Sequence, residues 1–287
     1  GEGERHLAHG IEALGVAHGM WVYTFHALGV RLLREFGPLG GVEPGFTIYD
    51  EADALKVVKE ALAVCQVSDM VLKPDDARAK ISDAKSKLLT PAQLLDRAEW
   101  FEHETVARVY EAYEQLLRQR NAVDFDDLLM RVAFVLRDYP DVTARLNVRF
   151  RYVQIDEYQD TNHAQYLIAR YLSQEHGNIC ATGDPDQSIY AWRGADIRNI
   201  LEFERDYPSA QVVRLEQNYR SVGHVLAIAS RLIKHNLRRK HKDLWTQNKA
   251  GDPVHVWKFV DGRDEAEQIS QAIADEHKTG RPWSDFA

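Results

Sequence analysis

Apolar positions keep a helical period through the first half of this chain and shift to short strand-like runs in the second. Between Phe25 and Phe36 they fall at Leu28, Leu32 and Phe36, the spacing of one helix face, and Thr24 stands where a cap is needed. Trp21 to Tyr23, just before, predicts a short strand. A Gly/Pro cluster from Gly37 to Gly45 then breaks the chain. From Asp50 to about Asn121 the pattern is helical and highly charged. Thr90-Pro91 marks a helix start there, a hydroxyl cap followed by proline at the first helical position. Asp124 heads a further helix that stops at Tyr139-Pro140. Beyond Arg149, apolar runs at Tyr152 to Ile155, Ile179 to Thr182, Val212 to Leu215 and Val254 to Val260 predict strands. Helices are expected at His163 to Gln174, Ile197 to Arg205, Val222 to Asn236 and Asp264 to about His277. That alternation predicts an α/β fold with a parallel sheet and crossover helices.

Two of the predicted strands stop at acids. VQIDEYQDTN (Val153 to Asn162) ends its apolar run at Asp156-Glu157, and NICATGDPDQSIYAWRGAD (Asn178 to Asp196) ends its run at Gly183-Asp184. Ligands of parallel sheets collect beyond the carboxyl ends of the strands, so the pair is placed to hold a metal ion and a polyphosphate. An aspartate at position 156 suits Mg²⁺, which takes a few carboxylate oxygens plus phosphate and water. Glu157 suits a base that deprotonates the water attacking a γ-phosphate. The plainer alternative is a helix cap with extra acids at its positive end. Gln187 can hydrogen-bond a phosphate or that water.

Tyr190, Trp192 and Arg193 form an aromatic-basic cluster suited to stacking on unpaired bases, although an isolated YxWR more often packs into a domain interface. In LEQNYRS (Leu215 to Ser221), Tyr219 can stack on a nucleobase and Arg220 can reach a transferring phosphoryl group, or the turn simply begins a helix. Thr24, Phe25 and His26 bring a hydroxyl and an imidazole to a helix N-terminus, a combination suited to a phosphate backbone, or they form no more than a capped helix start with His26 at the surface. LRRKHKDLW (Leu237 to Trp245) is the one dense basic run, read first as a solvated helix end and second as a nucleic-acid contact.

Composition changes this picture little. At 287 residues, 45% hydrophobic and 28% charged, the chain has the make-up of a globular protein of about two domains. Its formal charge of -8 confines any nucleic-acid groove to a local patch. Cys65 and Cys180 lack ligand spacing, so neither zinc nor a disulfide framework is indicated, and Cys180 is expected to be buried in its strand. No apolar run approaches the ~20 residues that span a bilayer, and a reducing cytoplasm is the expected compartment.

Taken together, these segments resemble the UvrD/PcrA/Rep branch of superfamily 1 DNA helicases. DEYQDTN looks like its Walker B motif, GDPDQSIYAWRGAD its motif III, LEQNYRS its motif IV and YTFHALGVRLLREFG its motif Ib, while VDFDDLL (Val123 to Leu129) resembles a further signature. The resemblance implies a P-loop NTPase (RecA-like) parallel-sheet motor domain with a helical insertion and the beginning of a second motor domain. Residues 1–40 would be part of the first motor domain, 41–120 the helical inserted subdomain, 121–220 the first motor core, and 221–287 the start of the second. It implies ATP and Mg²⁺ as cofactors, single-stranded DNA and single/double-strand junctions as partners, and 3′-to-5′ translocation with unwinding at the bacterial nucleoid. Asp156 would hold the metal and Glu157 would be the base. Gln187 would couple γ-phosphate state to DNA, Tyr219 would stack on adenine, and Arg220 would be the finger. Thr24, Phe25, His26, Tyr190, Trp192 and Arg193 would line the DNA track.

The departures are also specific. The sequence contains no GxxxxGKS or GxxxxGKT loop, and Lys85-Ser86, set in helical sequence without glycines, does not replace it. The family's glutamine motif and its motifs V and VI are not found either, and Ala27 stands where serine is usual. These residues are therefore expected to be the middle of a helicase, silent as an ATPase on their own. The alternative is a non-catalytic remnant that binds single-stranded nucleic acid.

Overall fold

The computed structural model describes residues 19–98, 100–237 and 239–286; residues 1–18 of the expected first segment and Arg238 of the basic run lie outside them. The chain forms two compact units, Gly1–Gln211 and Val212–Ala287. In the first, helix Phe25–Phe36 starts where Thr24 Oγ1 accepts the Ala27 N–H at 3.2 Å, as the sequence predicts. Leu32, Leu33 and Phe36 bury in one core with Leu128 and Val132 of helix Phe125–Asp138 and Ile168 of helix His163–Ser173. Each such side chain withdrawn from water contributes about 1.5–3 kcal/mol. No helix among the described residues is long and apolar enough to cross a membrane.

The charged stretch after Asp50 folds as helices Glu51–Val64, Pro74–Ser86, Pro91–Asp96 and Phe101–Gln119, with Thr90 and Gln93 closing a reciprocal capping box. These helices have their own core, around Val58, Ala61, Tyr110 and Leu117. An ion cluster ties them to helix Phe125–Asp138. Lys85, wholly buried, lies 2.7 Å from Glu114, 2.8 Å from Asp124 and 3.0 Å from Asp127. Arg131 adds contacts of 2.9 Å to Glu114 and 3.3 Å to Asp127, and Tyr113 Oη donates to Asp124 at 2.8 Å. Burial pulls the Lys85 ammonium down, but Asp124, Asp127 and Glu114 outweigh it and hold its pKa well above the usual lysine value. Lys85 is thus a structural cation, buried among three carboxylates.

Both strand ladders are parallel. Thr47–Ile48 pairs with Ala122–Val123, and Val153–Ile155 pairs with Ile179–Ala181 in the register Val153 to Ile179 and Ile155 to Ala181. Helix His163–Ser173 makes the crossover between the second pair. The α/β alternation is therefore present, although each sheet among the described residues has two strands. Ile155 and Tyr158 bury with Ala169 and Ile200.

Several expectations are corrected. Trp21 to Tyr23 joins no ladder; Trp21 instead packs edge-on against Phe150, with the Arg31 guanidinium 4.1 Å from its ring centroid. The single helix expected over Ile197 to Arg205 breaks into Arg198–Leu201 and Phe203–Asp206. Cys180 is exposed, because the strand-pair face that carries it lines an open groove with Gln154, Phe203 and Tyr207. In the second unit, Val212 to Leu215 and Val254 to Val260 are not strands among the described residues, where the one bridge joins Gln217 and Trp245. A strand needs a neighbour for its N–H and C=O groups, and apolar alternation alone does not supply one. Helices Gly223–Ile233 and Gly262–Lys278 form close to where they are expected.

Candidate active site at the strand ends

The strand Val153–Ile155 ends in a sharp turn. Glu157 has φ +51°, a left-handed conformation that costs a non-glycine residue about 1–2 kcal/mol. Two backbone bonds stitch this turn to the neighbouring strand end: Tyr158 N–H donates to Thr182 O at 3.0 Å, and Thr182 N–H donates to Ile155 O at 2.8 Å. Glu157 N–H donates to Asp156 Oδ1 at 3.0 Å, and both acids are exposed. Burial, and then the Glu157 carboxylate, push the nearby Asp160 carboxyl upward.

The second strand end closes on the first. Gly183 sits so near Gln159 that a Cβ there would stand 2.5 Å from Gln159 Oε1 and 3.0 Å from the Tyr158 nitrogen. Asp184 then caps the turn Pro185–Gln187, accepting the Asp186 N–H at 2.9 Å on one oxygen and Gln187 Nε2 at 2.8 Å on the other. Gln187 thereby follows one of two paired strand ends, as Asp156 and Glu157 follow the other, and its amide is oriented by an acid.

The following turn, Ala191–Arg193, presents the aromatic-basic cluster. The Arg193 guanidinium lies 4.5 Å from the Trp192 ring centroid and 5.5 Å from that of Tyr190. Trp192 is 72% exposed. Gly194 follows with φ +83°, and a Cβ there would approach Ser86 Oγ to 3.2 Å, so the turn rests against the end of helix Pro74–Ser86.

Thr24 caps its helix, Phe25 is half-buried against the apolar residues around Leu128 and Ile155, and His26 packs edge-on against Phe125 at 5.8 Å. Burial lowers the His26 pKa, which favours a neutral imidazole that can donate one hydrogen bond. Tyr219 and Arg220 belong to the second unit. There Asn218 Oδ1 accepts the N–H groups of Arg220 (3.1 Å) and Ser221 (2.7 Å), while Asn248 Nδ2 donates to Tyr219 O and Ser221 O, both at 3.1 Å. This Asx-type turn leaves both the Tyr219 ring and the Arg220 side chain exposed.

The structure thus brings Asp156, Glu157 and Gln187 together at one strand pair, groups Tyr190, Trp192 and Arg193 on the next turn, and fixes the Tyr219-Arg220 turn within the second unit. Among the described residues, no three histidine, cysteine or carboxylate side chains form a group that could hold a metal ion. The sequence marks Asp184 only as a strand-end acid and gives Gln159 no role, yet both are central here. Asp184 is the acid that orients Gln187, and Gln159 is the buried amide between the strand ends. The polar residue two positions past the acid pair in DEYQD was the available signal for Gln159.

Comparison with known proteins adds independent findings. The profile of the UvrD/REP helicase N-terminal domain matches residues 4–208, and that of the UvrD-like helicase C-terminal domain matches residues 213–287. Proteins named ATP-dependent DNA helicase PcrA, from Staphylococcus epidermidis and Staphylococcus aureus, are 41% identical to this chain over 271 residues. The match covers 94% of this chain and 37% of each of those relatives.

Proposed function

This chain belongs to the UvrD/REP helicase family, and from that premise we propose that it forms part of a DNA helicase that couples ATP hydrolysis to 3′-to-5′ movement on single-stranded DNA. The observation that carries the proposal is the joining of two acidic strand ends, one bearing Asp156 and Glu157, the other Asp184 and Gln187, directly before an exposed aromatic-basic turn. The donor chemistry fits Mg²⁺: Asp156 offers a hard carboxylate oxygen in the open and leaves the rest of a coordination shell to phosphate and water. Asp156 would hold that ion, whose contribution when bound is to neutralise charge on the phosphate oxygens.

Glu157 takes the proton of the attacking water. Gln187, oriented by Asp184, hydrogen-bonds the γ-phosphate, and its loop runs straight into Tyr190, Trp192 and Arg193, which stack on unpaired bases. His26 and the Thr24 hydroxyl donate to the phosphate backbone at the helix start, beside Phe25. Tyr219 takes the adenine ring on its exposed face, and Arg220 offsets charge on the transferring phosphoryl group.

For these 287 residues alone, a second reading is favoured by the sequence itself, which holds no GxxxxGKS or GxxxxGKT loop: binding of single-stranded nucleic acid without turnover. Two measurements test this. In fluorescence anisotropy with an oligo-dT probe, Trp192→Ala should weaken binding by about 1–3 kcal/mol without altering the circular dichroism. Unchanged affinity would make Trp192 a packing residue. DNA-stimulated phosphate release should be absent, and turnover abolished by Glu157→Gln would show that the missing loop is dispensable.

A further inference from the structure

Gln159 has no part in the roles above, yet every polar atom of its side chain is engaged. It is 1% exposed. Its Nε2 donates to Glu157 Oε2 at 2.7 Å and, more weakly, to Asp160 Oδ2 at 3.4 Å. Its Oε1 accepts the Asp184 backbone N–H at 2.9 Å, and its own carbonyl accepts Ser188 Oγ at 3.4 Å. The amide can sit only this way round, since turning it over would set an oxygen against two carboxylates and an NH₂ against an N–H. The space it fills exists because position 183 has no side chain.

A continuous path follows from Glu157 through Gln159 to Asp184 and on to Gln187. Glu157 needs such a tether. Its left-handed backbone is not a relaxed conformation that would aim the carboxylate unaided, and no ion pair holds it among the described residues. We propose that Gln159 is a positioning residue: it fixes the Glu157 carboxylate and registers the loop from Gly183 to Gly194 against it, so that the hydrolytic side and the base-stacking side of the strand ends move as one. This rests on the roles given above to Glu157 and to the Tyr190–Arg193 turn. A buried amide that merely fills space would hold neither end.

Two variants separate the halves of the path. Gln159→Leu keeps the shape and removes the side-chain hydrogen bonds to Glu157, Asp160 and the Asp184 amide. Gln159→Glu keeps an acceptor for the Asp184 N–H and sets an oxygen against Glu157. Amide hydrogen exchange on the full chain should rise roughly tenfold at Asp184 in Gln159→Leu, as loss of a buried hydrogen bond predicts. In Gln159→Glu the Asp184 amide should stay within about twofold of the native chain, while the amides of residues 156–158 exchange faster.

The second measurement is a cycle on oligo-dT affinity. Glu157→Ala should change affinity about threefold in the native background and have almost no effect in the Gln159→Leu background. Additive effects, or exchange that rises equally everywhere in both variants, would overturn the proposal and make Gln159 a packing residue. A native chain that binds no oligo-dT would overturn the nucleic-acid reading instead, and the exchange pattern would still decide whether Gln159 is the tether.

Discussion

Two groups of acids in the first unit use the same residue types to opposite ends. Glu114, Asp124 and Asp127 are buried, and each lies within 3.0 Å of the Lys85 ammonium. Asp156 and Glu157 are exposed, and among the described residues neither has an ion pair. Removing carboxylates from water is costly, so the first group holds together only because Lys85 and Arg131 are buried with it. At the strand ends the charge remains available, and a ligand can supply the compensation. Acid-rich sequence has no functional meaning until the source of the cation is known, and for Asp124 that source lies 39 residues upstream at Lys85.

This contrast yields a graded set of outcomes. Lys85→Met should cost about 3–5 kcal/mol in urea unfolding, because it leaves buried carboxylates short of a cation. Native-like stability would remove the contrast altogether. Next in size is Gly183→Ala, where the new methyl meets Gln159 Oε1 and the Tyr158 nitrogen; an overpacking cost of about 1–3 kcal/mol is expected from the same unfolding curves. Asp126 sharpens the picture through pH. Burial, then Asp124, push its carboxyl up to about 6, above its unfolded value, so its ionisation works against the fold as pH rises through that range. Asp126→Asn should therefore gain about 1–2 kcal/mol at pH 8 and nothing at pH 3, as read from paired melts. Smallest of all, Glu157→Gln should change stability by less than about 0.5 kcal/mol, since the new amide oxygen still accepts from Gln159.

What the sequence revealed was mostly local. Thr24, Thr90 and Asp124 announce their helices because each cap bonds to a backbone N–H three residues on. The acids at 156, 157 and 184 were visible because an apolar run stops at them. Trp21 to Tyr23, Val212 to Leu215 and Val254 to Val260 were misjudged because a ladder depends on a partner elsewhere in the chain. Cys180 failed for a related reason: alternation along a strand does not say which face the rest of the fold covers. Gln159 was hidden for the same cause, since its second contact is the Asp184 amide, 25 residues away.

The strained turn at position 157 also sets endurance against chemistry. Glycine there would relax the backbone by about 1 kcal/mol, and asparagine by less, yet either would erase the carboxylate. Under selection for heat resistance alone, the strain in that glutamate's backbone and the hydrogen bond its carboxylate accepts from Gln159 would therefore pull in opposite directions.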